Sequence, residues 1–363
     1  MKTRNLLLVI ALTVFFGFRG FAQIQTIEWQ GIQRQYLVKT PENYESLPVL
    51  FFLHGLGDNI THVNSEHNFQ QVANKYNWMV VIPQAINEGN GTMWNAALMN
   101  STIDDSGFLM ALLDSLAVQY PVNQDSVFFT GFSMGGFMSH RMAIEHGDRI
   151  NAAAPVSGLI THAMAAQNAV APVRLLHIHG TNDNVVGDDG NSQYFGGNLG
   201  LGVEAILDYW RNANGCTDEP VIDSLPDTHN DGLRFVQYIY SGTKEVRFLK
   251  AIGGTHSWYR NANQHDIDYM DYIHDFFTGK HQINKVNSPT TGSLNVYPNP
   301  TNGQIKIELN SPTSIEIIDI QGNTILQKQF ESGITYLDLQ GIDSGIYFVK
   351  GDGITEKIIL QSF

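Results

Sequence analysis

Three residues in one order carry the chemistry this sequence offers: a serine at 133, an aspartate at 183 and a histidine at 256. Ser133 stands in Gly131-Phe132-Ser133-Met134-Gly135, a G-x-S-x-G pattern. Before it, the β-branched and aromatic run through Val127-Phe128-Phe129 reads as a buried strand. After it, Phe137 to Ala143 reads as a helix. Strand, tight turn and helix are the setting that lets such a turn hold its serine strained and exposed. The Met134 N–H, at the helix N-terminus, then faces any oxyanion that develops. The pattern alone is as often an incidental glycine-rich turn, so its partners decide.

A serine hydroxyl is a poor nucleophile until a base takes its proton, and the base needs a carboxylate to orient it. The strand Leu175-Leu176-His177-Ile178-His179 ends in Gly180-Thr181-Asn182-Asp183, putting Asp183 at a strand tip. The strand Val246 to Ala251 ends in Gly253-Gly254-Thr255-His256, which does the same for His256. Each residue alone is commonly structural. Three strand-tip candidates in the order nucleophile, acid, base read as a triad. Asp188 and Asp189 are fallback acids further along the loop. A tetrahedral intermediate needs a second N–H donor, expected at Leu56 in His54-Gly55-Leu56-Gly57. His140, two turns along its helix, is expected to point away from Ser133. His177 and His179 share a strand face, but no second ligand cluster stands near them, so neither metal nor cofactor is expected.

The elements that must position these groups follow from periodicity. Thr26 to Thr40 reads as two strands around Gly31, Leu47 to Leu53 and Trp78 to Ile82 as buried strands, and Phe108 to Leu116 as an apolar helix after Asp104-Asp105. Ala152 to Val156 and Val173 to Ile178 are further strands. Val203, Ile206, Leu207 and Trp210 mark one helix face, and Ile267 to Phe277 a closing helix. Strands alternating with helices predict a mostly parallel sheet with helices on both faces, whose ligands collect at the carboxyl ends of the strands. From Gln304 onward short alternating strands follow without a helix, predicting a small all-β sandwich. The expected division is a signal peptide over 1–22, a catalytic domain over 23–281, a linker over 282–293 and a terminal β domain over 294–363.

Lys2 and Arg4 before the apolar run Leu6 to Phe18 make the leader a signal peptide, too short to span a membrane. The net charge of −14 argues against nucleic acid or an anionic membrane as partner. A single cysteine, Cys216, excludes an internal disulfide framework, so stability rests on the cores.

The series His54-Gly55-Leu56-Gly57-Asp58, Trp94-Asn95, Asp104-Asp105-Ser106-Gly107-Phe108, Gly131 to Gly136, His179 to Asp183 and Gly254-Thr255-His256-Ser257-Trp258 resembles the secreted esterases of the polyhydroxybutyrate depolymerase and feruloyl esterase group. That resemblance runs from about Gln25 to His281 and implies an α/β-hydrolase that cleaves feruloyl or acetyl esters of plant polysaccharide, or hydroxyalkanoate esters. It makes Trp94 and Trp258 cleft-lining positions, and Asp105 is counted with them as a substrate contact. Two departures stand out. The group often bridges an Asn-Gly-Cys segment, here Asn214-Gly215-Cys216, to a second cysteine, where this chain has Thr243. The usual Gly-Gly-His-x-Trp-Pro also reads Gly254-Thr255-His256-Ser257-Trp258-Tyr259, which changes the cleft wall.

Tyr297-Pro298-Asn299-Pro300-Thr301-Asn302-Gly303 and Gly345-Ile346-Tyr347-Phe348-Val349 resemble the C-terminal sorting domain of type IX secretion. The resemblance implies passage across the outer membrane by that machinery, then release or cell-surface attachment. A non-catalytic polysaccharide-binding protein that kept an old triad is the competing class. A peptidase on the same fold lacks a propeller or large cap to screen peptides.

Overall fold

The computed structural model describes residues 23–89, 91–99, 101–260, 265–280, 295–309, 312–319, 323–351 and 354–361. The signal peptide expected over 1–22 and the linker expected over 282–293 lie outside these residues. The chain divides into two compact units, one up to Lys280 and one from His281 onward.

In the first unit the central apolar runs become strands buried on both faces, flanked by more exposed edge strands. The strands are β1 (Gln25–Trp29), β2 (Ile32–Lys39), β3 (Leu47–Leu53), β4 (Met79–Pro83) and β5 (Val122–Phe132). They continue with β6 (Ala152–Val156), β7 (Arg174–Gly180), β8 (Val221–Ser224), β9 (Arg234–Tyr240) and β10 (Val246–Ile252). They form one sheet in the order β1-β2-β4-β3-β5-β6-β7-β10-β9-β8. The pairs from β4 through β3, β5, β6 and β7 to β10 are parallel. Both edges are antiparallel. Every residue of β4 and β6 is buried, as a doubly covered parallel sheet requires.

The helices are α1 (Ile60–His67), α2 (Phe69–Tyr76), α3 (Asp105–Gln119), α4 (Met134–Glu145), α5 (His162–Ala165), α6 (Val203–Asn214) and α7 (Tyr269–Thr278). Leu109, Met138 and Trp210 from α3, α4 and α6 pack with Phe51 and Phe129 on one face of the sheet. Val63, Val72 and Ile273 from α1, α2 and α7 pack with Phe52 and Phe128 on the other. This is the α/β-hydrolase arrangement, a mostly parallel sheet with helices on both faces.

Several elements go beyond the sequence reading, among them α1, α2, α5, β8 and β9, and three of these show why. α1 buries only Ile60 and Val63, so its sequence shows no full apolar stripe. Its start is set instead by Asn59, whose side chain accepts from Thr61 N and His62 N. β8 is exposed along its whole length, so it carries no alternation to read. β9 alternates cleanly but lies beyond the polar stretch after Cys216.

The second unit is two antiparallel sheets. One is built from residues 295–297, 304–309 and 333–338, the other from 324–330, 313–318, 345–351 and 354–360. Ile305, Ile307 and Leu337 meet Ile315, Ile317, Val349 and Ile358 between them, the core of a small sandwich.

Candidate active site

The turn after β5 forces Ser133 into a conformation L-residues avoid, φ 55° and ψ −118°. Such strain costs about 1–3 kcal/mol and persists only where the surroundings hold it. Here the Ser133 N–H donates to Val156 O at 2.9 Å, and the Ser133 carbonyl accepts from Gly136 N and Phe137 N, starting α4. Gly135 is obligatory, because a Cβ there would stand 1.9 Å from the Leu53 carbonyl oxygen.

The structure brings Asp183 and His256 together. His256 Nδ1 lies 2.7 Å from Asp183 Oδ2. The other carboxylate oxygen accepts from Val185 N at 3.0 Å and Val186 N at 2.8 Å. Burial alone would push the Asp183 carboxyl up. Its bonds from His256 and the Val186 N–H outweigh that and hold it below the usual carboxylate range. Asp189 is exposed and bonds Asn191, so among the loop acids Asp183 is the one seated against the imidazole.

The loops carrying Asp183 and His256 are stitched to each other. Asn182 N donates to Gly254 O at 2.8 Å, and Gly253 N donates to Thr181 Oγ1 at 2.9 Å. A Cβ on Gly180 would sit 2.3 Å from the Gly254 carbonyl oxygen, so this approach also needs glycine. Where the resembling esterases carry proline, Tyr259 is buried and its hydroxyl accepts from Thr255 N at 2.9 Å, bracing the His256 turn. The Phe132 ring lies 4.7 Å from the His256 ring, so the imidazole packs on the residue preceding Ser133.

Opposite the serine, a Cβ placed on Gly55 would lie 3.7 Å from Ser133 Cβ, so the His54–Gly57 loop abuts the Ser133 turn. Neither Leu56 N nor Met134 N donates to an acceptor among the described residues. His54 fixes the loop. Its Nε2 accepts the Ala85 N–H at 3.1 Å, so its proton sits on Nδ1 and is donated to Gly55 O at 2.8 Å. That carbonyl and the Leu56 N–H belong to one peptide plane, so holding one orients the other. Burial pushes the His54 pKa down and keeps the ring neutral for this task.

Two of the expected substrate contacts sit elsewhere. Trp94 is 1% exposed and donates its indole N–H to His54 O at 3.0 Å, so it supports the His54–Gly57 loop instead of lining the cleft. Asp105 is fully buried in the first turn of α3, accepting from Arg34 Nη2 at 2.6 Å and Asn95 N at 2.7 Å. Both are drawn inward because each satisfies a buried polar group there. Trp258 does stand at the cleft, edge-on to Phe52 and His67 and beside His256.

Two cavities flank the site. One of about 460 Å³ holds Ser133, Leu56 and Met134 and is otherwise walled mainly by Met93, Leu98, Met99, Phe137, Val186, Phe195 and Leu199. The other, about 340 Å³, lies on the His256 side and is mostly polar, with Asp58, Glu66, His67, Ser257 and Arg260 beside Trp258. The sequence reading missed the apolar wall. Its signals were the loop run Ala96-Ala97-Leu98-Met99 and the aromatic pair before Gly196-Gly197. That pair caps a short ribbon, Asn191–Ser192 with Gly197–Asn198, which carries Phe195 to the cavity.

Cys216 is buried, with its thiol near the Tyr240 and Lys244 carbonyls. Thr243 N donates to Asn214 O at 2.8 Å, a hydrogen-bonded clip where the resembling esterases carry a bridge.

Residues 37–189 match the family described as Phospholipase/Carboxylesterase. Residues 295–361 match the Secretion system C-terminal sorting domain. Among curated relatives, the bifunctional acetylxylan esterase/xylanase of Neocallimastix patriciarum is 29% identical over 158 residues, 43% of this chain and 22% of that protein. The probable feruloyl esterase C of Aspergillus niger is 28% identical over 229 residues, 61% of this chain and 76% of that protein. The chain thus spans about a fifth of the first relative and three quarters of the second. The acetyl xylan esterase of Aspergillus awamori shares the fold, with a TM-score of 0.52 at 15% identity over 70% of this chain and 99% of that one.

The sheet order and the shared fold define the first unit as an α/β-hydrolase arrangement, of which residues 37–189 match the Phospholipase/Carboxylesterase family. The second unit is a secretion sorting domain, which marks the chain for export.

Proposed function

We propose that the chain is an exported serine esterase that hydrolyses carboxylic esters through an acyl-enzyme, with Ser133, His256 and Asp183 as its triad. One observation carries this reading: a serine forced to positive φ stands at the strand ends where a histidine is held 2.7 Å from a buried aspartate. Because Nδ1 of His256 is engaged by Asp183, Nε2 is the nitrogen that takes the proton of Ser133 Oγ as the oxygen attacks the ester carbon. The N–H groups of Leu56 and Met134 receive the resulting oxyanion. Losing one such donor typically costs about 2.7–4 kcal/mol. Collapse expels the alcohol, which leaves with the proton from His256. Water then repeats the attack on the acyl-serine, and the carboxylic acid departs.

The cavity at Ser133 is large and apolar, which favours an aryl acyl group such as feruloyl over acetyl. The polar cavity on the His256 side suits a sugar alcohol. Together with the names of the relatives, this supports feruloyl esters of plant polysaccharide as substrate. An acetyl ester is the second reading, favoured by the relative named an acetylxylan esterase. The type IX secretion machinery is the partner that would read the terminal domain and carry the chain across the outer membrane.

Ser133→Ala is expected to keep its fold and to lose more than about a hundredfold of its p-nitrophenyl acetate turnover. Turnover nearer to wild type than that would overturn the nucleophile assignment. A panel of methyl ferulate, acetylated xylan and short hydroxybutyrate esters then ranks the acyl groups. The account expects ferulate to give the highest kcat/KM.

A further inference from the structure

Behind the site, three histidines from two elements form a line that the ester chemistry above does not use. His140 lies on α4 and His177 and His179 on β7, and all three are buried. His140 Nε2 is 3.2 Å from His177 Nδ1, and His177 Nε2 is 3.2 Å from His179 Nδ1. The rings lie in rough stacks, 5.4 and 5.3 Å apart. Each ring bonds the next, so the rings pass hydrogen bonds along a row and do not converge on a point as metal ligands do; the Gly158 backbone also faces His140, and His179 Nε2 stands 3.8 Å from Asp183 Oδ2.

Both ends of the row fix its direction. At one end the Trp210 indole N–H, which can only donate, points at His140 Nδ1 across 3.2 Å. A neutral His140 must then carry its proton on Nε2 and give it to His177 Nδ1. The same logic puts the proton of His177 on Nε2 and that of His179 on Nε2. At the other end His179 Nε2 meets the Val186 carbonyl, which can only accept, at 2.8 Å. The two ends demand the same polarity. Burial, with the neighbouring histidines adding to it at His140 and His177, pushes all three rings toward the neutral form this requires.

Val186 is where this row meets the site. Its N–H donates to Asp183 Oδ1 at 2.8 Å, which leaves Oδ2 to His256. Its side chain also lines the cavity at Ser133. We infer that His179, fixed as a donor through the chain Trp210–His140–His177, is a positioning residue that pins Val186 and thereby aims the Asp183 carboxylate at His256. This rests on the reading of Asp183 as the catalytic acid. Without the His179 donor the buried Val186 carbonyl loses its partner, the 183–186 turn relaxes, and the carboxylate drifts. A misplacement of about 1 Å can cost about a hundredfold in rate.

The test uses the full chain. Ring-nitrogen NMR at neutral pH is expected to find all three histidines protonated on Nε2 and bare on Nδ1. His179→Phe is expected to lower kcat about ten- to hundredfold with KM little changed, and to shift the proton resonance of His256 Nδ1. His179→Gln, which keeps an N–H donor at similar reach, is expected to restore most of kcat. Any of the three rings protonated on Nδ1 overturns the inference, as does a His179→Phe variant with wild-type kcat or a glutamine variant as impaired as the phenylalanine one. Should His179→Phe fail to fold, the ring pattern and the glutamine variant decide. Asp183→Asn separates the two readings. If the His256 Nδ1 resonance survives unchanged in that variant, the acid assignment fails, while the ring pattern still reports on the chain.

Discussion

Hydrogen bonding fixes the orientation of the Asp183 carboxylate. One oxygen is taken by two backbone N–H groups and the other by His256, so the carboxylate can turn in only one way. An amide at this position would offer its NH₂ to groups that are themselves donors, upsetting the imidazole tautomer. Asp183→Asn is expected to lower kcat strongly, up to about 10⁴-fold, with KM little changed. Asp189→Asn, altering an exposed carboxylate tied to Asn191, is expected to stay within threefold of wild type by the same assay. The reverse ranking would remove Asp183 from the mechanism. At this scale the sequence was informative about local geometry, as for the strained turn at Ser133. It misled where a polar side chain could be satisfied internally. Trp94 and Asp105 have the types of cleft residues, but the His54 carbonyl and Arg34 claim them, and those partners lie far off in sequence.

Among the elements, the buried strands were legible because their apolar runs have no other use, and the strand tips then placed all three polar groups at one end of the sheet. Two of the edge strands were not legible. β8 is exposed throughout, and the Thr324–Phe330 strand of the terminal sandwich is nearly so, leaving neither with an alternating pattern. The ribbon around residues 191–198 is likewise only two residues wide on each side, yet it delivers Phe195 to the cavity wall. Phe195 is 52% exposed, so removing its ring should cost little stability. On binding, an aryl acyl group would cover part of that ring. Losing about 1 kcal/mol of such burial corresponds to roughly a fivefold change. Phe195→Ala is therefore expected to lower kcat/KM for methyl ferulate about fivefold while leaving p-nitrophenyl acetate nearly unchanged. Equal losses on both esters would mean that the ribbon shapes the site and does not contact the acyl group.

Taken whole, the first unit keeps several imidazoles dry. Burial lowers the pKa of His54, His177 and His179, and holds those of His67 and His140 near 3. In the unfolded chain these rings take up protons below about pH 6.5, while folded they stay neutral. The unfolded state therefore binds more protons through this window, and stability falls as the pH falls. Each such ring contributes about 1.4 kcal/mol per pH unit once below its unfolded pKa. The depressed Asp183 acts in the same direction but only below the ordinary carboxylate range, near pH 4. Thermal unfolding of the full chain is thus expected to show the melting temperature of the first unit already declining from about pH 6.5, well before carboxylates protonate. A flat profile down to pH 4.5 would mean the rings are not held neutral. The central claim, that Ser133 is the nucleophile of an acyl-transfer site, is tested most directly by treating the full chain with a fluorophosphonate. Intact mass and peptide mapping follow. The account predicts one phosphonyl adduct, formed with loss of fluoride, on Ser133, absent from Ser133→Ala and slower to form in Asp183→Asn. Ester hydrolysis that continues with no adduct, or with the adduct on another residue, would contradict it.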